Sequence, residues 1–112
     1  MCLFCKIVRK EIPAKILFED DDLLAFHDIN PGAPTHVLVI PKEHLAGLNE
    51  AAAGHEALLG KLLLATRRAA AEAGILESGF RVAINTGAHA GQSVHHLHMH
   101  VLGGRALAWP PG

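Results

Sequence analysis

The chain has 112 residues, 50% of them hydrophobic and 19% charged, with ten Lys and Arg against eleven Asp and Glu for a formal net charge of -1. That composition excludes a disordered chain, which needs low hydrophobicity and high net charge, and the length suits one domain with one core over residues 1–112. There is no basic excess to grip many phosphates and no apolar run near the ~20 residues of a membrane span, so neither nucleic acid nor membrane is an expected partner. The opening Met1-Cys2-Leu3-Phe4-Cys5-Lys6 lacks the extended apolar region of a signal peptide, which makes the cytoplasm the expected setting.

Residues 3–10 place Leu3, Phe4 and Ile7 at helical spacing, and Pro13 stops any continuation. Cys2 and Cys5 form a Cys-x-x-Cys on this segment. A thioredoxin-like motif would follow a strand, and none precedes it. A structural zinc would need two further ligands, for which His44 and one histidine of residues 95–100 are the candidates. The preferred reading is two ordinary, partly buried thiols, with no metal and no cofactor required. Residues 16–19 read as a strand, Asp20-Asp21-Asp22 as a solvated turn, and residues 23–29 as a second strand broken by Pro31-Gly32-Ala33-Pro34. His36-Val37-Leu38-Val39-Ile40 is rich in β-branched residues and gives a third strand ending at Pro41.

One long helix is expected over residues 55–73, with Leu58, Leu62, Ala65, Ala69 and Ala73 as an apolar stripe that Leu59, Leu63 and Ala70 widen. Lys61, Arg67, Arg68 and Glu72 take the other side, and Gly74 stands where a C-cap glycine belongs. Residues 80–85 and 97–102 complete the set as fourth and fifth strands. The order implies an α+β fold: a five-stranded, mainly antiparallel sheet with the long helix on one face and a short N-terminal helix.

Of the nine histidines, four lie within residues 95–100. His96, His98 and His100 alternate with Leu97, Met99 and Val101, so on a strand the three imidazoles share one face. A fold gains little from that, since such rings repel when protonated and need partners when buried. His-x-His would also suit zinc, but a hydrolytic site wants a carboxylate nearby and residues 78–112 hold no Asp or Glu. The preceding run, Gly87-Ala88-His89-Ala90-Gly91-Gln92-Ser93, offers backbone amides and a hydroxyl to an anion. A phosphate beside a histidine nucleophile accounts for both halves.

These residues resemble the His-φ-His-φ-His-φ-φ pattern (φ apolar) of the histidine triad (HIT) superfamily of nucleotide hydrolases and transferases. The likeness covers nearly the whole chain. Ile12-Pro13-Ala14-Lys15, residues 18–21, 25–29, 31–36 and 91–94, and the ending Leu-Gly-Gly-Arg…Trp-Pro-Pro-Gly are similar to its nucleoside phosphoramidase branch. The resemblance implies an enzyme that hydrolyses the P–N bond of purine nucleoside 5'-phosphoramidates through a nucleotidyl-histidine. In that scheme His98 is the nucleophile, and His96 with its backbone orients the ring. His100, Ser93 and the amides near Gly91, Gln92 and Val94 form the phosphate cradle, and His36 assists proton transfer to the departing amine. Asp28 matches the carboxylate that binds the ribose hydroxyls. Phe4, Ile7, Phe26, His27, Ile29 and Leu38 match the apolar pocket around the purine, and Asn85 a residue near the phosphate. His95 departs from the pattern, standing where the branch usually carries tyrosine. His44, His55 and His89 receive no role.

The alternatives are a dinucleoside polyphosphate hydrolase, which shares the triad without this framing, and a nucleotide-binding interaction module with incidental turnover. A homodimer is expected, its two sheets joined through the long helix, where Gly60 permits close approach, and an adjoining strand. The tail, residues 105–112, holds the only tryptophan and is expected to shape the partner's substrate site.

Overall fold

The computed structural model describes residues 2–112. Its elements are α1 (Leu3–Val8), β1 (Ile16–Glu19), β2 (Leu23–His27), β3 (Thr35–Pro41), α2 (Glu56–Glu72), β4 (Phe80–Ala83) and β5 (Met99–Gly103), with short 3-10 turns at Leu48–Glu50, Ala53–His55 and Ala88–Ala90. The five strands form one sheet in the order β1-β2-β3-β5-β4, antiparallel throughout. The expected architecture is present. Among the described residues no helix is long and apolar enough to cross a membrane.

The central strands are covered on both faces, which is why they read as unbroken apolar runs. Leu23, Ala25, Val37, Val39, Met99 and Val101 point one way and meet Leu62, Ala65, Ala69 and Ala70 of α2. Leu24, Phe26, Leu38 and Ile40 point the other way and meet Phe4 and Ile7 of α1. The register aligns Phe26 with Leu38 and Leu38 with His100, so one transverse row runs from the second face's core into the histidines.

Helix α2 closes as a Schellman motif: Gly74 has φ +78, its N–H donates to Ala71 O (3.2 Å), and the Ile75 N–H donates to Ala70 O (2.9 Å). Ile75 is thereby turned into the core. The acidic turn is exposed but not merely solvated. The Asp20 carboxylate accepts from the Asp22 and Leu23 amides, and Lys61 of α2 pairs with Asp22 and Asp20.

Four expectations need correction, the fourth strand among them, which ends at Ala83 and not at residue 85. Leu63 does not widen the buried stripe: it is 55% exposed, beside Leu64 at 71%. The second strand stops at His27, because the Asp28 carboxylate accepts the Asn30 N–H (2.9 Å) and turns the chain. The fifth strand begins at Met99, two residues later than expected. Val39 pairs with Met99, so the next ladder position would face Pro41, which has no N–H to give. The chain leaves the ladder there, and the Leu97 N–H donates instead to Leu45 O (2.6 Å).

Candidate active site

On the α1 face of the sheet lies a cavity of about 750 Å³, a size that accommodates a small organic ligand. Phe4, Ile7, Phe26 and Leu38 form its apolar wall, with His27, Asp28 and Ile29 at one side and Ser93, Val94, His98 and His100 at another. Ile29 stands at the rim, 92% exposed. Leu3, Asn30 and the run Ile12-Pro13-Ala14-Lys15 also line it. Sequence reasoning gave those six no role, although the Ile-Pro-Ala-Lys run is part of the resemblance; the loop after α1 carries it back across the cavity mouth.

The three histidines expected on one face do different things. His98 is buried, and its Nδ1 lies 2.7 Å from the His96 carbonyl oxygen. A carbonyl only accepts, so Nδ1 carries the proton and Nε2 keeps its lone pair. The ring lines the cavity, held edge-on by Phe4 with centroids 5.1 Å apart. An imidazole in this tautomer is a competent nucleophile near neutral pH.

His100 is fixed by a chain of one-way bonds. The Gly32 N–H donates to His36 Nδ1 (2.9 Å), so the neutral His36 ring carries its proton on Nε2. That Nε2 is 2.9 Å from His100 Nδ1 and 3.4 Å from Asp28 Oδ2. His100 Nδ1 therefore accepts, and the proton of its own neutral ring is on Nε2; Asn85 Nδ2, 3.4 Å away, is also a donor and adds no hydrogen bond to that N–H. His36 and Asn85 thus stand behind His100 and do not line the cavity themselves. Burial is the main cause that pushes the His100 imidazole down to about 4, with His98 and His36 adding to it and Asp28 opposing. Burial also lowers His36, against the pull of Asp28.

The loop before β5 is braced from within. Gln92 Nε2 donates to Ala46 O (2.7 Å) and Val94 O (3.2 Å), and its Oε1 accepts the Gly87 N–H (2.9 Å). The Gly91 and Gln92 amides donate to Ala88 O and Gly87 O. Both residues therefore shape the loop, with their amides already committed. The amides of Ser93 and Val94 donate to no acceptor among the described residues. The Gly91 backbone is left-handed (φ 74), a conformation that favours glycine.

His96, fully buried, sends its ring elsewhere. Nε2 donates to Pro41 O (2.8 Å), the carbonyl that the departing ladder leaves free, so Nδ1 keeps a lone pair. That Nδ1 joins Cys2 Sγ, Cys5 Sγ and His44 Nδ1 in a cluster of four donors within 4.8 Å of one another. The separations are 3.4 and 3.5 Å from His96 to the two sulfurs, 3.6 and 3.2 Å from His44 to them, and 3.2 Å between the two nitrogens. Bond lengths of ~2.3 Å to sulfur and ~2.0–2.1 Å to nitrogen make the S···N and N···N edges of a zinc tetrahedron about 3.6 and about 3.3 Å. Burial also lowers the proton affinity of His96, which keeps that donor available. Thus His44, a candidate zinc ligand on the sequence alone, meets the two thiols 42 and 39 positions away. His55 caps locally, accepting the Ala52 N–H and pairing with Glu43. His89 and His95 are exposed.

The profile of the HIT domain family matches residues 9–107. The 14 kDa zinc-binding protein of Zea mays is 51% identical over 112 residues, covering 98% of this chain and 87% of that protein. The purine nucleoside phosphoramidase of Escherichia coli is 47% identical over 105 residues, covering 94% of this chain and 88% of that enzyme. The crystal structure of a HIT family hydrolase from Legionella pneumophila superimposes over the whole of both chains with a TM-score of 0.98 at 47% identity.

The lowered proton affinity of His100 has a consequence for stability. The unfolded chain protonates this ring near its ordinary 6.5, the folded chain only at about 4. The folded state's advantage from this group is thus complete above about pH 6.5 and is lost as pH falls toward about pH 4. Thermal melts across that window are expected to show a smaller decline of Tm with acidification in His100→Asn than in the wild type. Parallel curves would remove the assignment.

Proposed function

This chain belongs to the HIT domain family, and on that footing we propose that it is a purine nucleoside phosphoramidase. The observation that carries the reading is the His98 ring, with Nδ1–H held by the His96 carbonyl at 2.7 Å and the ring bordering a cavity of nucleotide size. His98 Nε2 attacks the α-phosphorus, an N–P bond forms, and the P–N bond to the amine breaks. Water then cleaves the nucleotidyl-histidine to the nucleoside monophosphate. The His100 Nε2–H, the Ser93 hydroxyl and the Ser93 and Val94 amides donate to the phosphoryl oxygens as charge grows there. A phosphate brought beside the His36–His100 pair raises its proton affinity, and from that pair the departing amine takes its proton. Asp28 receives the ribose hydroxyls, and Phe4, Ile7, Phe26 and Leu38 enclose the purine. The family relatives named above include a hydrolase and a phosphoramidase, which supports this reading over an interaction module.

The test uses His98→Ala. Turnover of an alkylamine phosphoramidate of AMP should fall by about 1000-fold or more, while AMP still binds. Retention of a tenth of the wild-type rate would sink the nucleophile, and a faster reaction with a dinucleoside polyphosphate would favour that substrate class instead.

We propose also that Cys2, Cys5, His44 and His96 hold a structural zinc. Donor chemistry and edge lengths support this, as does the carbonyl behind His96, the usual outer partner of a zinc-bound histidine. The maize relative is named for zinc binding. Zinc here would tie three distant parts of the chain together; no bond of the substrate is broken there. Elemental analysis of protein purified without chelator should give one zinc per chain, lost in Cys5→Ser. Metal-free wild-type protein that takes up none when zinc is added would restore the free-thiol reading.

Pairing of two copies is the third part of the proposal. β4 is an edge strand, α2 exposes Leu63 and Leu64, and no atom would crowd a side chain at Gly60. Trp109 is 79% exposed, near Arg81 of β4, a large apolar surface suited to docking on a partner. Deleting residues 105–112 should leave the mass in solution that of a dimer and change the preference between two phosphoramidates with different amines. An unaltered preference would confine the tail to packing.

A further inference from the structure

The four-donor cluster lies outside the cavity, yet two links from three of its ligands lead into it. His96 is the first link. Its ring nitrogens are spent on the cluster and on Pro41 O, while its own carbonyl holds His98 Nδ1–H. Helix α1 is the second. Cys2 caps it, with Sγ accepting the Cys5 N–H (3.1 Å), and Cys5 sits on its first turn. Between them and just beyond come Phe4 and Ile7, both buried and both part of the cavity wall. A helix of six residues has no stability of its own in water, so its place is set by what pins it. Phe4 then touches both links, lying 6.1 Å from the His96 ring, 5.1 Å from His98 and 5.5 Å from Phe26.

We infer that the Cys2–Cys5–His44–His96 cluster, with zinc bound, is a positioning device for the cavity: through His96 it sets the His98 ring, and through α1 it sets the wall that meets the base. The inference rests on the zinc and phosphoramidase readings above and goes beyond both. A structural staple holds a fold together; this one shares a residue with the support of the reacting ring. His44 contributes a third fixed point from the segment after β3, so four ligand bonds fix His96 against α1 and that segment together. Loss of the metal leaves the His96–Pro41 bond and the core of α2 intact, because neither involves the thiols. What loosens is α1 and the rotation of the His96–His98 peptide unit.

The experiment compares zinc-loaded wild type, the same protein stripped by chelator and then reloaded, Cys5→Ser, and His44→Cys, which keeps four zinc-binding donors. The readouts are metal content, thermal melting, affinity for AMP and for ribose 5-phosphate, the proton resonance of His98 Nδ1–H, and kcat with KM. In the stripped protein and in Cys5→Ser, AMP affinity should fall about 10-fold and kcat about 10- to 100-fold, the size seen when the support of a site group is lost. Ribose 5-phosphate has no base to meet the wall, so its affinity should change by no more than about twofold. The His98 Nδ1–H signal should broaden into exchange with water. Reloading with zinc should restore all of these, and His44→Cys should retain them. A folded, zinc-free chain with unchanged AMP to ribose 5-phosphate ratio and an unchanged His98 signal would overturn the inference, leaving the cluster a staple. So would global unfolding on metal removal, or a wild type that binds no zinc. If zinc-loaded protein turns over no phosphoramidate, the functional reading fails while the affinity ratio and the His98 resonance still decide this one.

Discussion

The peptide of His96 is the constraint on which the rest of the site depends. Pro41 ends the β3–β5 ladder by offering no N–H, and that leaves its carbonyl free at the point where the two chains part. His96 takes that carbonyl with Nε2–H, which fixes the ring's tautomer, and its own carbonyl takes His98 Nδ1–H. Each bond has only one sense, because a carbonyl oxygen cannot donate. The consequence passes without ambiguity from a proline in one strand to a lone pair beside the cavity. A proton placed on the wrong nitrogen of either buried ring would leave an acceptor facing an acceptor, at a cost of about 1–3 kcal/mol.

The same one-way logic runs through the other arm. Gly32 gives an N–H to His36, His36 gives one to His100, and His100 is left presenting a donor where His98 presents an acceptor. Two chemically identical side chains, two positions apart and 5.0 Å between centroids, are thereby given opposite roles by their outer partners. The sheet makes this affordable. α2 buries one face and supplies most of the apolar packing, which frees the opposite face to carry imidazoles, a short helix and a cavity.

The fold was largely legible in the sequence, since strand breaks fall at Pro31, Gly32, Pro34 and Pro41 and the stripe on α2 follows helical spacing. Leu63 misled because the stripe and its neighbours are uniformly small and apolar, and nothing in spacing says where a face stops being covered. The triad's alternation was visible, but its common face was only half the truth: period-two reasoning assumes a ladder, and the ladder ends before His96 for a reason held by Pro41, 55 residues away. Gln92 read as a phosphate contact because loop amides are generic anion donors, whereas its amide and side chain are absorbed by Gly87, Ala46 and Val94. His44 was legible only as a candidate zinc ligand and not as a preferred one. A single histidine after a strand has no pattern of its own, and only the fold brings it against the N-terminal thiols.

Electrostatics explains why so many imidazoles can share this site. His36, His96 and His100 all have their protonated forms disfavoured first by burial, and a charge on His98 disfavours each of them further. At neutral pH these three rings are neutral, and the full charges bordering the cavity are Lys15 and Asp28. An anion entering such a space is not drawn by a cationic patch but held by oriented N–H and O–H groups. In the proposed reaction those donors would need no reorganisation when charge shifts from the ground state to the transition state. In the proposed reaction His98 offers a lone pair and His100 an N–H side by side, two complementary roles set by their separate outer partners. The apolar wall of the α1 face, with Phe4 and Phe26 packed edge to face at 5.5 Å, would therefore serve the proposed chemistry as well as the packing, because hydrogen bonds beside it are stronger than in water.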